Sequence, residues 1–262
     1  MATRIELLRW LVGYLAEERG EAARVSSGAA EGELWDTFRA LVNTRQPLPA
    51  TDEFFAKQDH LLKSMIAEAG IVSPASIPPS RIDGRIATWR GDITTLAADA
   101  IVNAANSQML GCWIPGHYCI DNAIHTFAGV QLRIECARIM RAQGHPEPTA
   151  QAKTTPAYNL PARWIIHTVG PIAGGMPLPR HREELARCYR ACLDAARGLE
   201  GCRTIAFCCI STGVFGFPHR EAAEIAVRTV RAWLDAHSDA DLRVVFNTFL
   251  EEDDAIYREL LA

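Results

Sequence analysis

Two cysteines and a histidine, Cys112, His117 and Cys119, lie within eight residues in a segment interrupted by glycine and proline. Thiolate and neutral imidazole are the ligands that Zn²⁺ prefers, and a structural zinc usually has four of them in a tetrahedron. This segment supplies three, so a zinc ion bound here would keep one position for water or substrate, as catalytic zinc sites do. Cys-x4-His-x-Cys is not one of the standard zinc-finger spacings. The alternative is therefore that both cysteines are small buried hydrophobic residues and the histidine lies on the surface.

Two further segments place polar side chains directly after apolar, strand-like runs. Asp92, in the Gly-Asp-Ile-Thr sequence of residues 91–94, can accept hydrogen bonds from an exocyclic amine or a ribose hydroxyl. The alternative is a turn in which this carboxylate bonds to the backbone two residues further on. Asn106 ends the segment 102–106, whose small residues let a ligand approach the backbone. Its amide can donate to and accept from a sugar hydroxyl, although asparagine is also common in turns without function.

Residues 210–218, Ile-Ser-Thr-Gly-Val-Phe-Gly-Phe-Pro, connect a strand-like run to a helix-like one. A loop with two glycines before a helix can point several backbone N–H groups inward and hold a pyrophosphate. The loop matches neither the Walker A pattern nor the Gly-x-Gly-x-x-Gly dinucleotide fingerprint. Phe215 and Phe217 are suited to packing against a sugar or a base. The alternative is a tight strand-to-helix turn whose aromatic rings belong to the core.

Alternating strands and helices from residue 85 onward must position these segments. Apolar runs predict strands at 86–89, 99–103, 164–169, 204–210 and 242–247. Helical periodicity predicts helices over about 122–142, 182–199 and 219–236, and then a terminal helix. This alternation is typical of a mixed α/β sheet with helices on both faces. Ligands bind such sheets beyond the carboxyl ends of the strands, where the segments above lie.

The first 72 residues follow a different pattern. Apolar residues at helical spacing predict three helices, at residues 3–19, 32–43 and from about 52 to Gly70, the last with Thr51 as its N-cap. Three prolines within residues 73–80 remove backbone donors and fix φ, which predicts a boundary. We therefore divide the chain into an N-terminal helical extension (1–72), a Pro-rich linker (73–80) and an α/β domain (81–262).

Composition argues against several classes of protein. With 262 residues, 48% hydrophobic and 22% charged, the chain is typical of a soluble globular protein. A formal net charge of -4 argues against a general nucleic-acid-binding role, and no apolar run approaches the ~20 residues of a membrane span. The eight cysteines do not form the pattern of a disulfide framework, and the N-terminus does not resemble a signal peptide. These features predict reduced thiols and a cytoplasmic protein.

The segments 91–94, 100–106, 121–125 and 211–218 together resemble, in this order, the motifs of macrodomains. The resemblance covers residues 81–262 and implies a three-layer α/β/α sandwich with a mixed central sheet, preceded here by the small N-terminal helical extension. Macrodomains bind ADP-ribose. The resemblance implies that Asp92 accepts from the adenine amine, that residues 211–217 wrap the pyrophosphate, and that Asn106 bonds to the distal ribose. The implied ADP-ribose-binding residues are Asp92, Ile93, Asn106, Cys119, Ile120, Asp121, Ser211, Thr212, Gly213, Val214, Phe215, Gly216 and Phe217.

The segment that is glycine-rich in most hydrolytic macrodomains carries Cys112, His117 and Cys119 in this chain. In this it resembles the zinc-dependent macrodomains, a microbial branch of protein-ADP-ribose hydrolases that also carry an N-terminal helical extension. The resemblance implies one Zn²⁺ per chain, held by these three residues. It also implies that Asp121 and Asn106 are catalytic. Asp121 would lie near the start of a helix, whose dipole favours the ionised form, and would activate the attacking water as general base.

The resemblance implies a hydrolase that removes mono-ADP-ribose from modified protein side chains, most often carboxylate-linked, and releases ADP-ribose. The zinc-dependent branch is associated with mono-ADP-ribosyl groups on carboxylate side chains, including those on lipoyl-carrier-type proteins. Three alternatives stay open: a non-catalytic ADP-ribose reader, an O-acetyl-ADP-ribose deacetylase, and a zinc ion that only pins its loop. For Asp121 the alternative is a simple helix N-cap, and His125, one turn later, is interpreted as a structural partner rather than a base.

Overall fold

A six-stranded sheet lies at the centre of the computed structural model, which describes residues 3–21, 26 and 28–262. Its strands are β1 (Ile86–Arg90), β2 (Ala100–Ala105), β3 (Ala152–Pro156), β4 (Trp164–Val169), β5 (Thr204–Phe207) and β6 (Arg243–Thr248). Their spatial order is β1–β6–β5–β2–β4–β3, and every neighbouring pair is parallel except the antiparallel pair of β4 and β3. The predicted mixed sheet is confirmed.

Helices cover both faces of this sheet. Successive residues of a strand point to opposite faces, and Ala100, Ile101, Val102 and Asn103 of β2 are all fully buried. The covering helices are α4 (Ile120–Ala128), α5 (Val130–Gln143), α6 (Pro179–Arg197), α7 (His219–Ala236) and α8 (Glu251–Leu260). The predicted three-layer α/β/α sandwich is therefore confirmed.

The single helix predicted over 122–142 is wrong, because the chain forms two helices that meet at Gly129. This glycine has φ +96°, a left-handed conformation that interrupts a right-handed helix. A Cβ at this position would lie 2.5 Å from Gln131 Oε1 and 2.7 Å from Gln58 Nε2. The break therefore depends on close packing against the N-terminal helices, which helical periodicity does not reveal.

Strand β3 is missing from the sequence-based prediction, and β5 is shorter than predicted. The sequence of β3, Ala-Lys-Thr-Thr-Pro, lacks an apolar run because this strand lies at the edge of the sheet. Its terminal proline is tolerated there. β5 ends at Phe207, and the apolar residues up to Ile210 already belong to the loop that leads towards α7. Apolar character extends beyond the ladder because Cys208 and Ile210 remain buried.

Three N-terminal helices pack against the sandwich: α1 (Arg4–Glu18), α2 (Glu31–Asn43) and α3 (Asp52–Ala69). Their apolar faces form a second core, which Val130 of α5 joins, while Ile66 of α3 belongs to the main core. Part of the Pro-rich segment forms one 3-10 turn, Pro74–Ser76. The helices thus lie near their predicted positions, and the division of the chain at 73–80 remains a prediction.

All eight cysteines are free thiols in the structure, as expected from their spacing. Among the described residues, no helix is both long enough and apolar enough to cross a membrane.

Candidate active site

Cys112, His117 and Cys119 meet in the connection between β2 and α4, in a segment that we name the metal loop (residues 111–119). Their ligand atoms all lie within 4.8 Å of one another, and Cys112 Sγ is 3.4 Å from His117 Nδ1. All three residues are half-buried, so a cation can reach them from solvent. Two sulfur atoms and one imidazole nitrogen fit the donor set that zinc takes in proteins.

Cys119 needs a neighbouring cation before its thiol can ionise. Burial raises the pKa of its thiol to about 12, so the sulfur keeps its proton unless positive charge lies beside it. A bound cation supplies that charge and releases the proton. Cys119 is also the N-cap of α4, where its Sγ accepts from the backbone N–H of Asn122 at 3.4 Å. The positive end of this helix favours the thiolate once the metal is bound.

Two glycines determine the path of the metal loop. Gly111 and Gly116 have φ +80° and +64°, which other residues adopt at a cost. At Gly111 a side chain would also clash sterically, because a Cβ would lie 2.7 Å from Cγ of the His125 ring. At Gly116 no atom lies within 4 Å of such a Cβ. Gly111 therefore sets how closely the loop approaches α4.

Asp121 lies in the first turn of α4, two residues after Cys119, and is buried. Its Oδ1 accepts from Asn103 Nδ2 at 2.8 Å, and its Oδ2 accepts from Asn106 Nδ2 at 3.2 Å. The alternative that Asp121 caps the helix is wrong, because Cys119 takes that position. The two residues implied to be catalytic, Asp121 and Asn106, are thus in direct contact beside the metal loop.

Burial raises the pKa of Asp121 to about 6, although the hydrogen bond from Asn103 and the charge of Arg133 oppose this shift. The net shift is opposite to the direction expected from the helix dipole, because desolvation outweighs it. A carboxylate with a pKa near 6 is largely ionised at neutral pH, yet it is more basic than an exposed aspartate. Both properties suit a general base.

A buried polar network behind Asp121 does not appear in the sequence-based prediction. Asn103 Nδ2 lies 3.1 Å from His167 Nδ1, and His167 Nε2 lies 3.0 Å from Thr155 Oγ1. Burial lowers the pKa of His167 to about 3 and that of His125 well below its usual value, so both imidazoles are neutral at pH 7. His125 Nε2 is 3.6 Å from Asp121 Oδ1, which is too long for a hydrogen bond.

His125, Cys136 and His167 form a second group of possible metal ligands, with atoms within 4.8 Å of one another. All three are buried, and both nitrogens of His167 already contact Asn103 and Thr155. Burial raises the pKa of the Cys136 thiol to about 12. One histidine of this group is already bonded and all three residues are buried, so the half-buried metal loop is the better metal site.

Asp92 forms a turn in which its carboxylate bonds to the backbone two residues further on, which is the alternative to a ligand-binding role stated in the sequence analysis. Its Oδ1 accepts from the backbone N–H and the hydroxyl of Thr94 at 2.9 and 2.7 Å. The residue is exposed, and Ile93 beside it is buried. In the described residues no hydrogen bond engages Asp92 Oδ2, which is therefore free to accept from a ligand.

The loop of residues 211–217 combines a strained backbone with free amides. Ser211 has φ +68°, and its carbonyl accepts from the N–H of Phe217 at 2.9 Å. Phe217 is buried in the core, as expected if the loop is a tight turn with core aromatic rings, whereas Phe215 is half-buried. Within the described part of the chain, no protein acceptor bonds to the amides of residues 212–215. These amides precede the positive end of α7, an arrangement that favours anions.

The parallel strands bring these segments together at one end of the sheet, beyond the carboxyl ends of the strands. Asn247, near the end of β6, donates through Nδ2 to the carbonyl of Gly91 at 2.9 Å. Gly170, after β4, approaches Ser211 so closely that a Cβ would lie 2.1 Å from Ser211 Oγ. Asn106 and Asp121 contact each other next to the metal loop. Segments 91–94 and 211–217 share this end of the sheet, and among the described residues no hydrogen bond joins either segment to the metal loop.

Comparison with known proteins places this arrangement in a family. Residues 102–226 match the Macro domain family. A Treponema medium protein named protein-ADP-ribose hydrolase is 49% identical over 262 residues, which cover 99% of this chain and 100% of that protein. A Staphylococcus aureus protein of the same name is 46% identical over 255 residues, or 97% of this chain and 94% of that protein.

A solved structure has the same fold. The Trypanosoma brucei macrodomain in complex with ADP-ribose superposes with a TM-score of 0.65 at 30% identity. The match covers 86% of this chain and 95% of that one. With a relative 49% identical over nearly its whole length, this chain belongs to the macrodomain family.

Proposed function

We propose that this protein is a zinc-dependent hydrolase that removes mono-ADP-ribose from aspartate and glutamate side chains of modified proteins. The observation that carries the proposal is the position of Asp121. Its buried carboxylate accepts from two asparagine amides, two residues along the chain from Cys119 of the metal loop. The names of the relatives and the ADP-ribose in the Trypanosoma structure support the same substrate class.

ADP-ribose would bind along the carboxyl end of the sheet. The free Oδ2 of Asp92 would accept from the adenine amine, with Ile93 and Ile120 contributing contacts. The amides of residues 212–215 and the N-terminus of α7 would hold the pyrophosphate, because both present positive dipoles to an anion. Asn106 would bond to the distal ribose, which brings the scissile bond beside Asp121.

Hydrolysis would use Asp121 as general base. Its carboxylate would take a proton from the attacking water, whose oxygen bonds to C1 of the distal ribose while the bond from C1 to the acceptor oxygen breaks. Asn103 and Asn106 would hold the carboxylate in place. Zinc bound by Cys112, His117 and Cys119 would supply a Lewis-acid centre next to this carboxylate.

The ionisation of the site favours a carboxylate leaving group. Burial lowers the pKa of His125 and of His167 below the usual value, so neither ring is an imidazolium that could act as general acid at pH 7. A departing carboxylate is stable as an anion and needs no general acid, whereas a departing alkoxide or amide does. This chemistry is the reason for proposing linkage to aspartate or glutamate.

The test is release of ADP-ribose from proteins modified at one residue type. We expect release from aspartate- or glutamate-linked mono-ADP-ribose and none from serine- or arginine-linked material, together with one zinc per chain in metal analysis. A modified lipoyl-carrier-type protein is a second substrate for the same assay. A zinc-loaded protein that binds ADP-ribose but releases none from any of these substrates would be a reader, and O-acetyl-ADP-ribose as a parallel substrate separates protein de-modification from small-ester hydrolysis.

A further inference from the structure

Helix α2 of the N-terminal extension contacts the metal loop directly, although 73 to 78 residues separate the bonded partners. Arg39 Nη2 donates to the carbonyl of His117 at 2.9 Å. One helical turn further on, Asn43 Oδ1 accepts from the backbone N–H of Gly116 at 3.0 Å. Both bonds go to the main chain of the loop, so they fix its path without occupying a predicted ligand atom.

The side chains that make these bonds are themselves held in place. Asn43 is 1% exposed, and its Nδ2 donates to Thr126 Oγ1 of α4 at 3.0 Å. Arg39 Nη2 also donates to Asn122 Oδ1 of α4 at 3.0 Å. The Arg39 guanidinium lies 4.8 Å from the ring centroid of Tyr118, within cation–π distance. Helix α2 therefore bonds to α4 and to the metal loop with the same two side chains.

A third tie joins the end of α2 to the start of the loop through Arg133 of α5. Its Nη1 donates to the carbonyls of Val42 and Arg45 at 3.0 and 2.8 Å. Its Nε donates to the carbonyl of Leu110 at 2.6 Å, and its guanidinium lies 4.3 Å from the ring centroid of Trp113. This buried side chain holds α2 and the loop in register.

We infer that Arg39 and Asn43 are positioning residues that keep the metal loop assembled before a metal binds. A loop with glycines at 111 and 116 is flexible by itself, and ordering it costs conformational entropy when a ligand binds. Ties that hold the loop before a metal binds would remove part of that cost and so strengthen metal binding. The zinc part of this inference rests on the proposed function; the ordering of the loop does not.

The test compares full-length Arg39→Ala, Asn43→Ala and the double variant with wild type, without metal and with Zn²⁺. Hydrogen exchange of the His117 amide reports loop opening, because this amide donates to the Ile114 carbonyl inside the loop and to neither varied side chain. We expect about tenfold faster exchange there in the double variant, from the loss of the two hydrogen bonds that Arg39 and Asn43 make to the main chain of the loop. We expect the zinc dissociation constant, measured by chelator competition, to rise by a similar factor.

Arg19→Ala is the matched control, because Arg19 donates to the Leu41 carbonyl and to Thr44 Oγ1 and so holds α2 without contacting the loop. It should leave both readouts unchanged, and Arg39→Lys, which keeps a donor, should restore part of the loss. Exchange of the buried Ile165 and Val245 amides reports whether a variant stays folded; if the double variant does not, the single variants carry the test. Unchanged His117 exchange in a folded Arg39→Ala and a folded Asn43→Ala would overturn the inference. If wild type binds no zinc but the variants still exchange the His117 amide faster than wild type, the positioning role is supported and the zinc proposal is refuted.

Discussion

At the residue scale, the environment of Asp121 is made by two amides that serve different purposes. Asn103 is fully buried on β2 and also contacts His167, so it belongs to the interior of the sheet. Asn106 is half-buried at the end of β2, where it also donates to the Gly111 carbonyl. One amide therefore connects the carboxylate to the core and the other connects it to the metal loop.

Replacing Asp121 by asparagine should abolish most turnover and retain ADP-ribose binding. The substituted amide cannot take a proton from water, and general-base catalysis contributes roughly 10²–10⁴-fold. One of its two terminal atoms would also face an amide donor of Asn103 or Asn106 with a second donor. We expect single-turnover ADP-ribose release to fall by about this factor, while the dissociation constant from calorimetry changes less than about threefold.

Asp92→Asn is the matched control for that experiment. This carboxylate is exposed and lies in the turn before Thr94, away from the bonds to Asp121. It should weaken ADP-ribose binding, raise KM and change kcat little. If Asp121→Asn retained most of the wild-type kcat, the general-base role would have to be assigned elsewhere.

Gly111 and Gly116 form a pair that separates backbone strain from crowding. Alanine at either position must adopt a positive φ, which costs roughly 1–2 kcal/mol. Only at Gly111 would the added methyl group also collide with the His125 ring. We expect urea denaturation to show a loss of about 1 kcal/mol for Gly116→Ala and about 3 kcal/mol for Gly111→Ala. Equal losses would mean that the loop moves away from α4 without cost.

The sequence allows the metal loop to be predicted but not the network behind Asp121. Cys112, His117 and Cys119 are close in the chain, so a short loop brings them together in most conformations. Asn103 and His167 meet only because β2 and β4 pair in a parallel register that sets these two residues side by side. Strand order and register depend on the packing of the whole sheet, so sequence patterns locate such polar residues without identifying their partners.

At the scale of elements, strand β4 carries a histidine that makes the protein sensitive to acid. The pKa of His167 is about 3 in the folded protein because of burial, against about 6.5 in an unfolded chain. Below pH 6.5 the unfolded chain therefore takes up a proton that the folded protein refuses. The stability present above pH 6.5 should decrease as the pH falls towards 3, by up to about 1.4 kcal/mol per pH unit from this residue.

Denaturation of wild type and His167→Gln between about pH 7.5 and pH 4.5 isolates this contribution. We expect a smaller pH slope in the variant below pH 6.5, with the difference approaching one proton. Parallel slopes for wild type and His167→Gln would mean that the imidazole is protonated in the folded state.

Helices and inner strands were predictable where one face decides the pattern. The helix predicted at 219–236 is α7 to the residue, and the strand predicted at 164–169 is β4. Apolar periodicity fails to predict an element whose position is set by local polar contacts or by an exposed edge. β3 lies at an edge and has no apolar run, and the break at Gly129 depends on Gln58 and Gln131 from two different helices.

At the scale of the whole molecule, the N-terminal extension is distinct in sequence, but residues of the sandwich complete its core. Phe127 contacts both apolar cores, and Val130 is buried in the second one. The interface also contains buried polar ties: Gln58 Oε1 accepts from the Val130 amide at 3.0 Å, and Asn159 Nδ2 donates to Asp59 Oδ1 at 2.8 Å. Opening the interface would leave these groups exposed or unpaired on both sides, so neither part gains by unfolding alone.

We therefore expect the extension and the sandwich to unfold in one transition. Trp10 packs on the second core and Trp233 is buried in the main core, so variants that keep only one of these tryptophans, with phenylalanine at the other five positions, report on the two parts separately. Their fluorescence should change at the same urea concentration, as two-state unfolding requires. Adding Gln58→Ala, which removes an interface bond, should lower both midpoints equally. A Trp10 transition that precedes the Trp233 transition would instead make the extension an independently unfolding unit.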